Sequence, residues 1–191
     1  MLDRAIFYDL ETTDKNPIGQ ILNYCFYEVD RGFNVLNRCT GLIRISPLEI
    51  PSPSAVLANR TDVLEHQRQV HARECDAMRE ASDFIVDCIE RSKNKRISLI
   101  GYNSSRFDLP YLRTSFVRNG IPPYFNKRVL YGDLLQLARK LLIAEDSFPR
   151  VASKDGDPDR LSLKLETLLK EFKLLDGSQS HESEDDVKLT V

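Results

Sequence analysis

Two carboxylates stand one residue apart in the stretch FYDLETT, residues 7–13, inside an otherwise apolar run. The segment from Ala5 to Leu10 reads as a short buried strand, and because strand side chains alternate between faces, Asp9 and Glu11 share one. Strands are poor in acids, and two carboxylates held side by side repel unless a proton or a cation lies between them. The competing reading ends the strand at Tyr8 and leaves both acids as solvated loop residues ahead of Thr12 and Thr13. Only partners elsewhere in the chain decide between the two.

Two further places gather polar groups. In GYNSSRFD, residues 101–108, a buried strand ends and Asp108 precedes a helix start that contains Pro110. Aspartate is a preferred N-cap, and a capping Asp108 can still offer one oxygen to a cation. In HESEDD, residues 181–186, His181 and Asp186 lie around a helix start where Ser183 to Asp186 has the form of a capping box. Carboxylate oxygens suit hard divalent ions such as Mg²⁺ or Mn²⁺. A histidine, with a pKa of about 6.5, can take a proton from water at neutral pH.

The elements that must position these residues follow from periodicity and punctuation. QILNYCFYEVD and FNVLNRCTGLIRI are rich in β-branched and aromatic residues and flank the turn Asp30-Arg31-Gly32, so they predict a hairpin extending from the first strand. SPLEIPSPSAV holds three prolines and predicts an extended loop. Residues 74–92 place Met78, Ala81, Phe84, Ile85, Cys88 and Ile89 at helical spacing. RISLIGYN returns to a buried strand, Leu109 to Asn119 reads as a helix with Gly120 past its end, and RVLYG is a fifth strand. Helices follow at Leu134 to Leu142 and Leu161 to Leu174, the latter with an apolar stripe of Leu161, Leu165, Leu168, Leu169 and Phe172. Between them SFPRVASKDGDPDR reads as a mobile loop. The expected fold is α/β, a mixed five-stranded central sheet, its first three strands antiparallel, flanked by helices.

The bulk properties narrow the class. At 191 residues and 41% hydrophobic content the chain suits one α/β domain. Its 27 basic and 29 acidic residues nearly cancel, which excludes a global polycation or polyanion argument about partners. Locally, residues 101–140 carry an excess of five positive charges and residues 144–191 an excess of five negative ones. Ordinary solvated helix faces account for that, as does a phosphate-attracting middle beside a cation-attracting end. Cys25, Cys39, Cys75 and Cys88 show neither C-x-x-C nor zinc-site spacing, so reduced thiols are expected. Without a leader-like start or a membrane-length apolar run, the expected location is the cytoplasm.

Strand-borne D-x-E, a strand-to-helix Asp and a late H-x-x-x-x-D, in that order, resemble the DEDD-type 3′–5′ exonucleases of the ribonuclease H-like superfamily, in the histidine (DEDDh) branch. FYDLETT is similar to the first motif, GYNSSRFD to the second and HESEDD to the third, so the resemblance spans nearly the whole chain. The GYN…RFD form and the Pro-rich segment before AVL are most like the exonuclease domain of exonuclease I.

The resemblance implies two divalent cations, Mg²⁺ or Mn²⁺, with Asp9 bridging both, Glu11 and Asp186 completing the site of the attacking water, and Asp108 supporting the second. It makes His181 the general base, and Asp185 a solvated neighbour. It implies substrate contacts from Leu10, Thr12 and Thr13, with the Thr12 backbone meeting the terminal ribose, and from Asn103, Arg106 and Phe107; Phe107 is more often core than stacking platform. The implied substrate is the 3′ end of single-stranded nucleic acid, DNA ahead of RNA, cleaved to nucleoside 5′-monophosphates. An RNA-trimming, oligoribonuclease-type activity and a catalytically weak binding module stand as alternatives. Two features depart from the pattern: Ser183 replaces a small apolar residue, and the chain stops at Val191, a turn past Asp186. Residues 1–191 therefore read as one exonuclease domain, consistent with excision from a longer protein.

Overall fold

The structure, a computed structural model, describes residues 3–153, 161–175 and 183–191. Strand β1 (Arg4–Thr12) pairs antiparallel with β2 (Ile21–Asp30), which pairs antiparallel with β3 (Val35–Leu42). The predicted hairpin turn closes on Asp30, whose Oδ1 accepts from the backbone N–H of Gly32 at 2.8 Å and of Asn34 at 3.0 Å. Strands β4 (Ile97–Gly101) and β5 (Val129–Asp133) add in parallel on the other side of β1, giving the order β3-β2-β1-β4-β5. This is the expected mixed five-stranded sheet, with β1 at its centre.

Helices α1 (Pro53–Asn59), α2 (Val63–Gln69), α3 (Glu74–Arg91), α4 (Asp108–Arg118), α5 (Leu134–Ala144), α6 (Leu165–Glu171) and α7 (Ser183–Thr190) flank it. The period of two in β1 sorts its side chains. Ile6, Tyr8 and Leu10 join Tyr24 and Phe26 of β2 in a core closed by Met78, Ala81, Ile85, Cys88 and Ile89 of α3 and by Tyr111, Leu112 and Phe116 of α4. Phe7 faces the opposite way and packs with Cys25, Tyr27, Val29 and Val187 of α7. Each fully buried aliphatic or aromatic side chain contributes roughly 1.5–3 kcal/mol, so both layers hold the sheet. Among the described residues no helix is long and apolar enough to cross a membrane.

Several expectations are corrected. The first strand continues to Thr12, which removes the reading of Asp9 and Glu11 as loop residues. The Pro-rich segment is extended only up to Ser52. Pro53 then opens α1, where a missing N–H costs nothing, and Ser52 Oγ caps by accepting from Ala55 N at 3.3 Å. Helix α6 is shorter than predicted, and Phe172, just past its end, is 49% exposed instead of completing the buried stripe. Part of the predicted mobile loop, residues 154–160, lies outside the described residues.

Candidate metal centre

Asp9 and Glu11 lie on the β1 face that α7 covers, in register with Cys25 and Asn23 of β2. Helix α7 is seated against that face by three contacts. The Ser183 hydroxyl donates to Asn23 Oδ1, the Tyr27 hydroxyl donates to Glu184 Oε1 at 2.7 Å, and Val187 is fully buried against Phe7, Cys25, Tyr27 and Val29. Asp186, one position before Val187, is thereby brought in from the far end of the sequence. One carboxylate oxygen from each of Asp9, Glu11 and Asp186 lies within 4.8 Å of the others. Ser183, the departure from the expected apolar residue, is part of this seating.

Asp108 reaches the same region from the opposite layer. Its predicted role as an N-cap is corrected: it is the first residue inside α4, and Phe107 precedes it as the cap residue with no side-chain capping bond. Freed from capping, Asp108 is buried and its Oδ1 accepts from Leu10 N across the sheet at 3.2 Å. Burial pushes its carboxyl up to about 7, with the charges of Asp133 and Asp186 adding, although its own and Leu10's backbone N–H pull the other way. Asp9 is likewise held well above the usual carboxylate range, by burial first and then by the charges of Asp108, Glu11 and Asp186. Carboxylates crowded so that they resist ionisation are the arrangement a multivalent cation relieves. The donor set, all oxygen and closely spaced, fits a hard divalent ion; Asp9, Glu11 and Asp186 would hold it, with Asp108 in support.

Sequence reasoning gave Asp133 no function, yet it organises the second motif. Its Oδ1 accepts from Asn103 N at 2.9 Å and caps α5 through Leu135 N at 3.0 Å, while Oδ2 accepts from Ser105 N at 3.1 Å. Asn103 takes the left-handed conformation with φ of 58°, which asparagine tolerates better than most residues. Gly101 precedes this turn because a Cβ there would lie 2.7 Å from Ser104 Cβ and 3.0 Å from the Tyr8 carbonyl oxygen. The legible signal was an Asp between the strand RVLYG and a leucine-rich helix, the pattern of an N-cap.

The remaining predicted residues spread more widely. Asn103 lines a cleft of about 390 Å³ together with Asp9, Asp186, Tyr102, Leu135 and the segment Leu163–Glu166. The Tyr102 hydroxyl donates to the Leu163 carbonyl and pins that segment as the far wall. On the other side, Glu11 borders a second cleft of about 410 Å³ that runs along Asn59–Gln69. Thr12 is buried; its carbonyl accepts from Asn59 Nδ2 at 2.9 Å and its hydroxyl donates to the Asp14 carbonyl at 2.7 Å. The Thr13 hydroxyl donates to Glu49 Oε1 at 2.5 Å and accepts from Gln20 N at 2.8 Å. The Leu10 side chain belongs to the core, Phe107 is partly buried with its ring 5.2 Å from that of Tyr111, and Arg106 is exposed. His181 lies outside the described residues. Of the basic side chains in the middle of the chain, Arg118 pairs with Glu74 at 2.5 Å and Arg128 with Glu90 at 2.6 Å. The Cys25 thiol beside Asp9 on β2 is pushed up to about 12 by burial and by Glu184 and Asp9, and all four cysteines are free thiols.

No family model and no curated protein matches the sequence. Solved structures do. E. coli exonuclease I in complex with a dT13 oligonucleotide superposes with a TM-score of 0.84 at 23% identity, covering 98% of this chain and 39% of that one. The zinc-bound form of the E. coli exonuclease I–single-stranded DNA complex gives 0.82 at 22%, covering 100% and 39%. The chain thus spans about two fifths of the length of these neighbours. At this level of identity the likeness establishes the fold: the chain is built like the corresponding portion of exonuclease I.

Proposed function

We propose that this chain is a metal-dependent 3′–5′ exonuclease of the histidine branch of the DEDD group, in the ribonuclease H-like superfamily, acting on single-stranded ends with DNA preferred. The observation that carries the reading is the convergence of Asp9, Glu11 and Asp186, from the two ends of the sequence, to within 4.8 Å. The fold shared with exonuclease I supports it, as does the buried Asp108 aimed at the same strand. Two divalent cations, Mg²⁺ or Mn²⁺, would neutralise the scissile phosphate and stabilise the attacking and leaving oxygens. Asp9, Glu11 and Asp186 would hold the cations, and Asp108, which accepts from Leu10 N, would support the second. His181, five residues before Asp186, accepts the proton of the attacking water, and the Thr12 backbone orients the terminal ribose. Within a longer protein, residues 1–191 would supply the exonuclease domain.

The test is digestion of 5′-labelled single-stranded DNA and RNA with Mg²⁺, Mn²⁺ or EDTA, beside Asp9→Ala. Metal-dependent shortening from the 3′ end, faster on DNA and absent in Asp9→Ala, is the expected result. Binding without digestion in either metal overturns it.

A further inference from the structure

Cations at the clustered acids would neutralise the scissile phosphate, but the neighbouring phosphates of a bound strand keep their charge, which a basic side chain beside the cleft can meet. Lys164 lines the cleft that contains Asp9 and Asp186. Its neighbours fix its place. The Tyr102 hydroxyl holds the Leu163 carbonyl, so the backbone carrying Lys164 is tied to the turn that follows β4. Leu168 and Leu169 are buried and anchor α6 on the body of the protein. The acid on the same wall, Glu166, is engaged by Lys170 at 2.7 Å, whereas Lys164 forms no ion pair among the described residues. Lys164, exposed and carried on a tied backbone, therefore lines the same cleft as two of the three clustered acids.

We infer that Lys164 binds a backbone phosphate of the nucleic-acid strand next to the one being cleaved, so that it sets affinity for the strand and leaves the chemical step alone. This rests on the exonuclease reading above and adds to it a substrate-contacting residue that none of the three motifs contains. The ammonium acts as a point charge, so arginine substitutes for it and alanine does not.

The experiment measures kcat and KM on a single-stranded DNA oligonucleotide, across a salt series, for the wild type, Lys164→Ala, Lys164→Arg and, as a surface-lysine control, Lys93→Ala. Lys164→Ala is expected to raise KM about tenfold with kcat within about twofold, the size of a lost charge-assisted contact. The slope of log KM against log salt falls by about 0.7, the value for one phosphate contact on a single strand. Lys164→Arg restores both, and Lys93→Ala changes neither. An oligonucleotide with one neutral methylphosphonate linkage beside the terminal one costs the wild type the same factor and costs Lys164→Ala nothing further. An unchanged KM and salt slope in Lys164→Ala, with the wild type active, overturns the inference and leaves the exonuclease reading intact. A wild type that digests no oligonucleotide overturns both.

Discussion

Replacing Asp108 by asparagine should make the metal-free protein more stable. The side chain is 3% exposed, and its carboxyl is raised from 3.8 to about 7. The folded state therefore keeps a proton that the unfolded chain releases near pH 3.8. It binds more protons between these values, so this group's contribution to stability falls as pH rises from about 4 to about 7 and stays lost above that. At roughly 1.36 kcal/mol per pH unit of displacement, about three units set an upper limit near 4 kcal/mol. The asparagine side chain has no charge to desolvate and keeps an oxygen for Leu10 N. In EDTA at pH 8, Asp108→Asn should gain about 1–4 kcal/mol, roughly 3–12 °C in melting temperature for a chain of this size. At pH 4 the gain should vanish. Because the chain has no tryptophan, far-UV circular dichroism is the probe. Adding Mn²⁺ at one hundred times its Kd should raise the wild type by about 2.7 kcal/mol and the variant by less. The reasoning fails if Asp108→Asn melts at or below the wild type at pH 8, or if its advantage is the same at both pH values.

Glu28 is fully buried and bonded to Arg4 at 2.7 Å, Arg91 at 2.8 Å and Asn37 at 2.6 Å. Its carboxyl is held below the usual range because the bonds from Arg91, Asn37 and Arg4 outweigh burial, so its stabilisation is lost as pH falls. Glu28→Gln should cost about 1–3 kcal/mol in urea titrations at pH 7 and much less at pH 3, since it leaves two partly exposed arginines without their charge partner. Gly101→Ala forces a Cβ to 2.7 Å from Ser104 Cβ and should destabilise by about 1–3 kcal/mol by the same titration. Tyr27→Phe releases Glu184 and loosens α7; calorimetry should show a loss of about 1 kcal/mol, with Mn²⁺ affinity measured by titration falling in step because Asp186 rides on that helix.

The apolar architecture was legible because its signals are local. Alternation in FYDLETT, the three- and four-residue spacing of Met78, Ala81, Ile85, Cys88 and Ile89, and the turn at Asp30 each report one element from its own neighbourhood. The first two candidate motifs were legible because acids in or beside buried strands are unusual, and the third, at a helix start, through the order of all three. Asp133 stayed hidden because a capping aspartate and a brace for a distant turn look the same in one dimension; only the fold puts Asn103 and Ser105 beside it. The Pro-rich segment misled because proline breaks a helix interior and yet suits its first residue, and the difference is a single position, Ser52 or Pro53. Asp108 misled for a related reason: a shift of one residue turned a cap into a group free to reach β1.

The seating of α7 has a consequence for biosynthesis. Glu11 and Asp186 meet only after α7 has been made, and the contacts that join them run through Asn23, Tyr27 and Val187, over some of the largest sequence separations among the described residues. A nascent polypeptide emerging from the ribosome would display Asp9 and Glu11, and later Asp108, with their fourth companion still unmade. Competence to cut nucleic acid, on the proposed reading, would then wait for α7 to be made and seated, sparing the message and the ribosomal RNA around it from a half-built nuclease.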